Sequence, residues 1–140
     1  MTTSILVAFP GANVKTVVLD LSDLGSVRAA VVAIKETVGG KVIDVLFNNA
    51  GVGSGAERKV NKEGIEMVWA TNHLGGFALT GGLIRDVGVG RVVMVSSEGH
   101  RISPVRFSDW GFEGTEVPED EQPRKGLPVG FLRGGYVLLF

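Results

Sequence analysis

The chain has 140 residues, of which 44% are hydrophobic and 21% are charged, and its formal net charge at pH 7 is −1. This size and composition are typical of one globular domain and not of a disordered chain. Because the charge is close to zero and forms no basic stripe, neither nucleic acid nor an anionic membrane is expected as a partner. Cysteine is absent and only two histidines occur, so disulfides and thiolate chemistry are excluded and no metal site is expected.

The first ten residues carry no basic segment, and no apolar run approaches the length of a membrane span. We therefore expect no secretion signal, no membrane span and a cytoplasmic location. Glycine is the compositional outlier, with 21 residues, about twice the usual share of roughly 7%. Glycine at segment ends and within apolar stretches indicates tight turns and close approaches of the backbone.

The first element in chain order is a predicted strand at 16–21, an apolar and β-branched run typical of a strand buried on both faces. Ser22 and Asp23 then offer N-cap side chains, and the helix that follows stops at the Gly39-Gly40 pair. One face of that predicted helix carries apolar residues at three- or four-residue spacing: Leu24, Val27, Val31, Ile34 and Val38.

A second buried-type strand is predicted at 42–47, followed by a glycine-rich loop, a helix over 62–84 and a third strand at 91–96. Alternating strands and helices predict an α/β fold with a parallel sheet covered by helices. The stretch 113–135 is rich in proline, glycine and charge, and we predict a long exposed loop there.

In a parallel α/β sheet, ligands bind beyond the carboxyl ends of the strands. Three polar groups occupy that position in the predicted sheet: Asp20, the run Asn48-Asn49-Ala50-Gly51, and the pair Ser96-Ser97. Each also has an ordinary structural interpretation. An acidic residue near a helix start is stabilised by the helix dipole, an Asn-Gly turn is common, and serines often end strands.

Four motifs appear together, in order and at suitable spacing: Asp20-Leu21-Ser22, Asn48-Asn49-Ala50-Gly51, Ala70-Thr71-Asn72-His73-Leu74-Gly75 and Val95-Ser96-Ser97-Glu98-Gly99-His100. In these motifs the chain resembles the short-chain dehydrogenase/reductase superfamily, and most of all its retinol-dehydrogenase-like and WW-domain-oxidoreductase-like branch. The resemblance covers about residues 14–112. It implies a partial Rossmann-like, doubly wound parallel sheet, with residues 1–140 forming a single incomplete NAD(P)-binding domain.

The resemblance also implies roles for particular residues. Asp20 and Leu21 would meet the adenine of the cofactor, and the turn of Asn48, Asn49, Ala50 and Gly51 would approach its ribose. Asn72 would hold a local helix distortion and a proton-relaying water. Ser97 would bind the substrate oxygen, with Tyr136 as the acid or base. His73 is interpreted as a packing residue.

Two features of the family pattern are not found. No Thr-Gly-x-x-x-Gly-x-Gly turn precedes Asp20, and the residue four positions after Tyr136, the only tyrosine, is Phe140 where the family has lysine. We therefore expect the first two strands and the C-terminal part of the fold to be missing. Unless 5–9 substitutes as a strand, the sheet should have unpaired edges and the chain should have low stability.

The resemblance thus implies an NAD(P)-dependent oxidoreductase that interconverts an alcohol and a ketone or aldehyde, and the two missing features lead us to expect that it is catalytically compromised by truncation. The resemblance implies NADP or NAD as cofactor, with NADP slightly favoured, and a bulky or lipophilic small-molecule substrate. The alternative is a non-catalytic remnant, or a homo- or hetero-oligomeric partner of a full-length reductase. A Rossmann-like methyltransferase ranks below both, because it does not require Asn-Asn-Ala-Gly together with Ser-Ser.

Overall fold

The computed structural model describes residues 2–53, 57–97, 101, 103–114 and 116–122. Its helices are α1 (Thr2–Ala8), α2 (Leu24–Val38), α3 (Met67–Trp69) and α4 (Gly76–Asp86), and its strands are β1 (Ile43–Asn48) and β2 (Val89–Met94). A π-helical segment, Ala70–Gly75, joins α3 to α4, and Glu119–Glu121 forms a 3-10 turn. The strands pair in parallel, with Ile43 opposite Val89 and Asn48 opposite Met94, which confirms the predicted α/β class.

Helix α2 begins and ends at residues with clear capping chemistry. The Asp23 carboxylate accepts a hydrogen bond of 2.7 Å from the backbone N–H of Gly25, so Asp23 rather than Ser22 is the N-cap. At the other end Gly39 adopts φ 62°, a left-handed conformation that glycine reaches without a steric penalty. The helix predicted from apolar spacing is therefore confirmed.

Helices α2 and α4 pack together and cover one face of the sheet. Their contact is made by Val27, Val31, Leu79 and Leu83, with Ile43, Leu46 and Val89 of the strands packed against it. Leu83 is fully buried. Gly82 permits the close approach of the helices, because a Cβ there would lie 2.8 Å from Cγ2 of Val31.

The prediction of a first strand at 16–21 is wrong. Residues 16–20 carry no strand assignment and Val18 is 91% exposed. A strand needs a neighbour for its backbone hydrogen bonds, and among the described residues this segment pairs with none. The idea that 5–9 could act as a strand is also wrong, since α1 covers Thr2–Ala8.

The other predicted elements are present with shifted bounds. The helix predicted over 62–84 starts only at Met67 and runs to Asp86, because Gly64, at φ 79°, and its neighbours form a turn. β1 lies one residue later than predicted and β2 two residues earlier, so Ser96 and Ser97 follow the strand and do not end it. The strands are also not buried on both faces, since Phe47 is 65% exposed.

A second apolar cluster joins α3 to residues near position 110. Val68 and Phe112 are buried against each other with Trp69 beside them, and the rings of Trp69 and Trp110 have centroids 5.9 Å apart. The two tryptophan rings therefore pack against each other. No helix among the described residues is both long and apolar enough to cross a membrane.

Candidate functional site

A small cleft of about 100 Å³ opens where β1 and β2 end. Its walls come from the segment before α2, the turn after β1, and the π-helical segment. Six of the lining residues are Leu21, Asn48, Asn49, Ala50, Thr71 and Asn72. This position, beyond the carboxyl ends of parallel strands, is the usual ligand position of such sheets.

Asn48 ties the two strand ends to the covering helix. Its Nδ2 donates to Oγ1 of Thr80 at 2.8 Å and to Sδ of Met94 at 3.0 Å. Its carbonyl oxygen accepts from the N–H of Val95 at 2.9 Å. The Asn48 side chain therefore fixes the floor of the cleft, while Asn49 and Ala50, the next residues, are exposed.

Asn72 clamps the turn that follows β1. The N–H of Val52 donates to Oδ1 of Asn72 at 2.8 Å, and Nδ2 of Asn72 donates to the Val52 carbonyl at 3.0 Å. A Cβ on Gly51 would lie 3.2 Å from that Oδ1, so a larger residue would crowd the clamp. Asn72 lies within the π-helical segment, a distortion often found at functional sites.

The segment around Asp20 is held by local polar contacts and by one close backbone approach. Oδ1 of Asp20 accepts from both the N–H and the hydroxyl of Ser22, at 2.9 and 2.7 Å. The N–H of Asp20 donates to Oγ of Ser26 at 2.9 Å. Gly75 packs directly on Leu21, because a Cβ at Gly75 would overlap the Leu21 carbonyl.

The turn before α3 reaches the same segment. Asn61 donates through Nδ2 to the carbonyl of Ser22 at 2.8 Å, and Nζ of Lys62 lies 2.6 Å from Oδ2 of Asp23. The hydrogen bond with Lys62 lowers the pKa of the Asp23 carboxyl, and the same bond raises the pKa of Lys62.

His73 lies between two aromatic rings, with centroids 4.5 Å from Trp69 and 6.2 Å from Phe77. Burial lowers the pKa of its imidazole, which favours the neutral ring at pH 7. The surroundings of His73 are thus those of a packed aromatic side chain.

The structure brings some predicted site residues together and leaves others apart. Leu21, Asn48, Asn49, Ala50 and Asn72 line one cleft. Asp20, Gly51 and Ser97 are exposed and are not among the residues lining it. Tyr136 lies outside the described residues.

Sequence reasoning missed Thr71, Thr80 and Asn61. The contact of Thr80 with Asn48 joins residues 32 positions apart, and the contact of Asn61 with Ser22 joins residues 39 positions apart. Neither contact leaves a local pattern in the sequence.

The family model for short chain dehydrogenase matches residues 3–108. This chain belongs to that family. The match includes the turn after β1, Asn72 and Ser97, and relatives named retinol dehydrogenase place the chain in the retinol-dehydrogenase-like branch. The resemblance inferred from the four motifs is confirmed.

Two relatives show how much of a family member this chain represents. It is 33% identical to Oxidoreductase fscI from Fusarium equiseti over 130 residues, covering 87% of this chain and 50% of that protein. It is 38% identical to Retinol dehydrogenase 14 from Mus musculus over 98 residues, covering 68% of this chain and 28% of that protein. The chain therefore spans half or less of these relatives.

Solved structures agree with the fold. A crystal structure of an uncharacterized protein from Mycobacterium Paratuberculosis superposes with a TM-score of 0.63 at 29% identity, covering 85% of this chain and 44% of that one. NADPH-bound carbonyl reductase from chicken fatty liver superposes with a TM-score of 0.53 at 18% identity, covering 79% of this chain and 47% of that one. The Rossmann-like α/β assignment follows from these neighbours.

Proposed function

We propose that this chain forms part of the nicotinamide-cofactor site of an oxidoreductase that interconverts an alcohol and a ketone or aldehyde. The observation that carries the proposal is the shared cleft of Asn48, Asn49, Ala50 and Asn72 at the carboxyl ends of the strands. The family membership and the NADPH named in the carbonyl reductase structure support this choice of cofactor. NADP and NAD both remain candidates, with NADP slightly favoured.

The residues present fit a fragment of the cofactor. Small-molecule pockets usually enclose roughly 300–1,000 Å³, whereas this cleft encloses about 100 Å³, a volume suited to one ribose. Ala50 and Gly51 leave their backbone accessible, because neither carries a side chain beyond Cβ. No glycine-rich phosphate turn precedes Asp20, so no residue is assigned to the pyrophosphate.

Each predicted residue keeps its role within this proposal. Asp20 and Leu21 bind adenine, and the turn after β1 binds ribose. When bound, the nicotinamide supplies or accepts the hydride. Ser97 donates a hydrogen bond to the substrate oxygen, which stabilises developing negative charge.

Asn72 supports proton relay, and Tyr136 is the acid or base. Phe140 stands where the family has lysine, and phenylalanine carries no charge with which to assist proton transfer by a tyrosine at neutral pH. We therefore propose that turnover by this chain is compromised.

A direct test is titration of the chain with NADPH and NADH, followed by fluorescence or calorimetry. We expect saturable binding at submillimolar cofactor, weakened at least tenfold by Ala50→Leu, because the larger side chain fills the cleft. Ala29→Leu is the matched control, since Ala29 is exposed on α2 and its replacement should leave binding unchanged. No binding at millimolar cofactor by the unaltered, folded chain would overturn the proposal.

The second candidate is a non-catalytic partner of a full-length reductase. It is favoured by apolar side chains at the surface near the sheet, where Val18 is 91% and Phe47 is 65% exposed, since exposed apolar groups commonly mark interaction surfaces. Co-purification with an intact relative, lost on Phe47→Ser, would support this candidate. A monodisperse chain that does not bind the intact relative would exclude this second candidate.

A further inference from the structure

We infer that Asn61 is a positioning residue that holds the adenine-binding end of the cofactor site in place. The inference rests on the proposed function, in which Asp20 and Leu21 meet the adenine. Nδ2 of Asn61 donates to the carbonyl of Ser22 at 2.8 Å. This hydrogen bond fixes the backbone directly after Asp20 and Leu21, the two residues that would contact the adenine.

The segment that ends at Ser22 needs a long-range hydrogen bond, because no strand among the described residues pairs with it. Residues 16–20 have no strand ladder among the described residues, and Asp20 is exposed. Around Asp20 the hydrogen bonds among the described residues are short-range ones with Ser22, Asp23 and Ser26. The hydrogen bond from Asn61 crosses 39 positions of sequence and ties this segment to a different part of the fold.

Asn61 is itself firmly anchored. Its Oδ1 accepts from the N–H groups of Glu63 and Ile65 at 3.0 and 2.9 Å. Its backbone N–H donates to the Ile65 carbonyl at 2.8 Å, and its carbonyl accepts from the N–H of Gly64 at 3.0 Å. A side chain fixed on one side by the turn and bonded on the other to Ser22 can set the position of Ser22.

The same turn is connected to the helix that carries Asn72. Glu66 is 2% exposed, and its carboxylate accepts from the N–H groups of Val68 and Trp69 at 3.0 and 2.7 Å. Helix α3 therefore begins at the end of the turn. Asn61 thus links the segment assigned to adenine with the helix whose Asn72 clamps the ribose turn.

The sharpest variant is Asn61→Asp. The carboxylate keeps an oxygen to accept from Glu63 and Ile65, so the turn can form, but it offers no donor to the Ser22 carbonyl. Asn13→Asp is the matched control, because Asn13 is exposed and the substitution adds the same charge. Thermal unfolding of each variant reports whether the fold is retained.

The two halves of the cofactor serve as separate probes. AMP tests the adenine end, and reduced nicotinamide mononucleotide tests the other end with the same number of phosphate groups. We expect Asn61→Asp to weaken AMP binding several-fold, with about tenfold, the worth of one hydrogen bond, as the upper limit, because AMP would then have to order the loosened segment. Binding of reduced nicotinamide mononucleotide should stay within about twofold. A purely structural role for Asn61 would weaken both probes equally.

The outcomes separate this inference from the proposed function. If the unaltered chain binds AMP and Asn61→Asp binds it equally well, the inference is overturned and the proposed function stands. Equal weakening of both probes also overturns the inference. If the unaltered chain binds neither probe nor NADPH, the proposed function fails and the inference fails with it.

Discussion

Asn72 and Val52 are joined by two hydrogen bonds of opposite direction, one donated by the Val52 N–H at 2.8 Å and one accepted by the Val52 carbonyl at 3.0 Å. A side-chain amide that satisfies both backbone groups of one residue imitates a strand partner. Since β1 has already ended at Asn48, this contact orders the turn where the strand no longer can.

We expect Asn72→Ala to remove both bonds and to reduce the free energy of unfolding by about 1–3 kcal/mol. The loosened turn should show faster amide hydrogen exchange at Val52, measured by NMR. Asn13→Ala, at an exposed position before α2, should change neither quantity. Unchanged exchange at Val52 in Asn72→Ala would contradict the clamp.

Gly75 is required by the backbone of Leu21. A Cβ at Gly75 would overlap the Leu21 carbonyl, whereas a Cβ at Gly81 would meet nothing within 4 Å. We expect Gly75→Ala to lower the free energy of unfolding by about 1–3 kcal/mol through overpacking. Gly81→Ala should raise it by roughly 0.5–1 kcal/mol through helix propensity. Denaturant unfolding measures both, and equal effects would refute the steric argument.

Leu83 and Ile84 are neighbours on α4 with opposite surroundings, 0% and 53% exposed. Leu83→Ala should lower the free energy of unfolding by about 2–5 kcal/mol, because it leaves a cavity between α2, α4 and the sheet. Ile84→Ala should change it by about 0.5 kcal/mol. Chemical denaturation of both variants tests whether the packing of α2 on α4 is the main core.

The lowered pKa of His73, caused by burial, predicts a pH dependence of stability. The unfolded chain protonates this histidine at higher pH than the folded chain, so the unfolded state binds more protons as pH falls. Stability should therefore be constant above about pH 6.5 and should decline as pH falls below it. His73→Phe keeps an aromatic ring and should flatten this decline in thermal melts between pH 7.5 and 5.

The sequence was sufficient to predict the elements whose pattern is set locally. Helix α2 has its apolar face at Val27 and Val31 and its caps at Asp23 and Gly39, all of which depend on neighbours close in sequence. The turn after β1 and Asn72 were recognisable because their residue types and spacing form family motifs. The residues Asn48, Asn49, Ala50 and Asn72 line one cleft, while their roles stay predictions.

The failures have a common physical origin. The run at 16–21 has the composition of a buried strand, but strand formation depends on a partner elsewhere in the fold, and Val18 is 91% exposed. The contacts of Asn48 with Thr80 and of Asn61 with Ser22 join residues 32 and 39 positions apart. Such long-range pairs leave no local pattern from which to predict them.

The parallel pairing of β1 with β2 also bears on how the protein is made. Roughly 40 residues separate Asn48 from Val89, and parallel strands need such a long crossover before their first hydrogen bonds can form. On the ribosome, α2 is therefore complete well before β2 has been synthesised. During that interval β2, the strand that pairs with β1 in the described part of the chain, has not been made, so β1 is open to misassembly and to binding by a chaperone at this stage of biosynthesis.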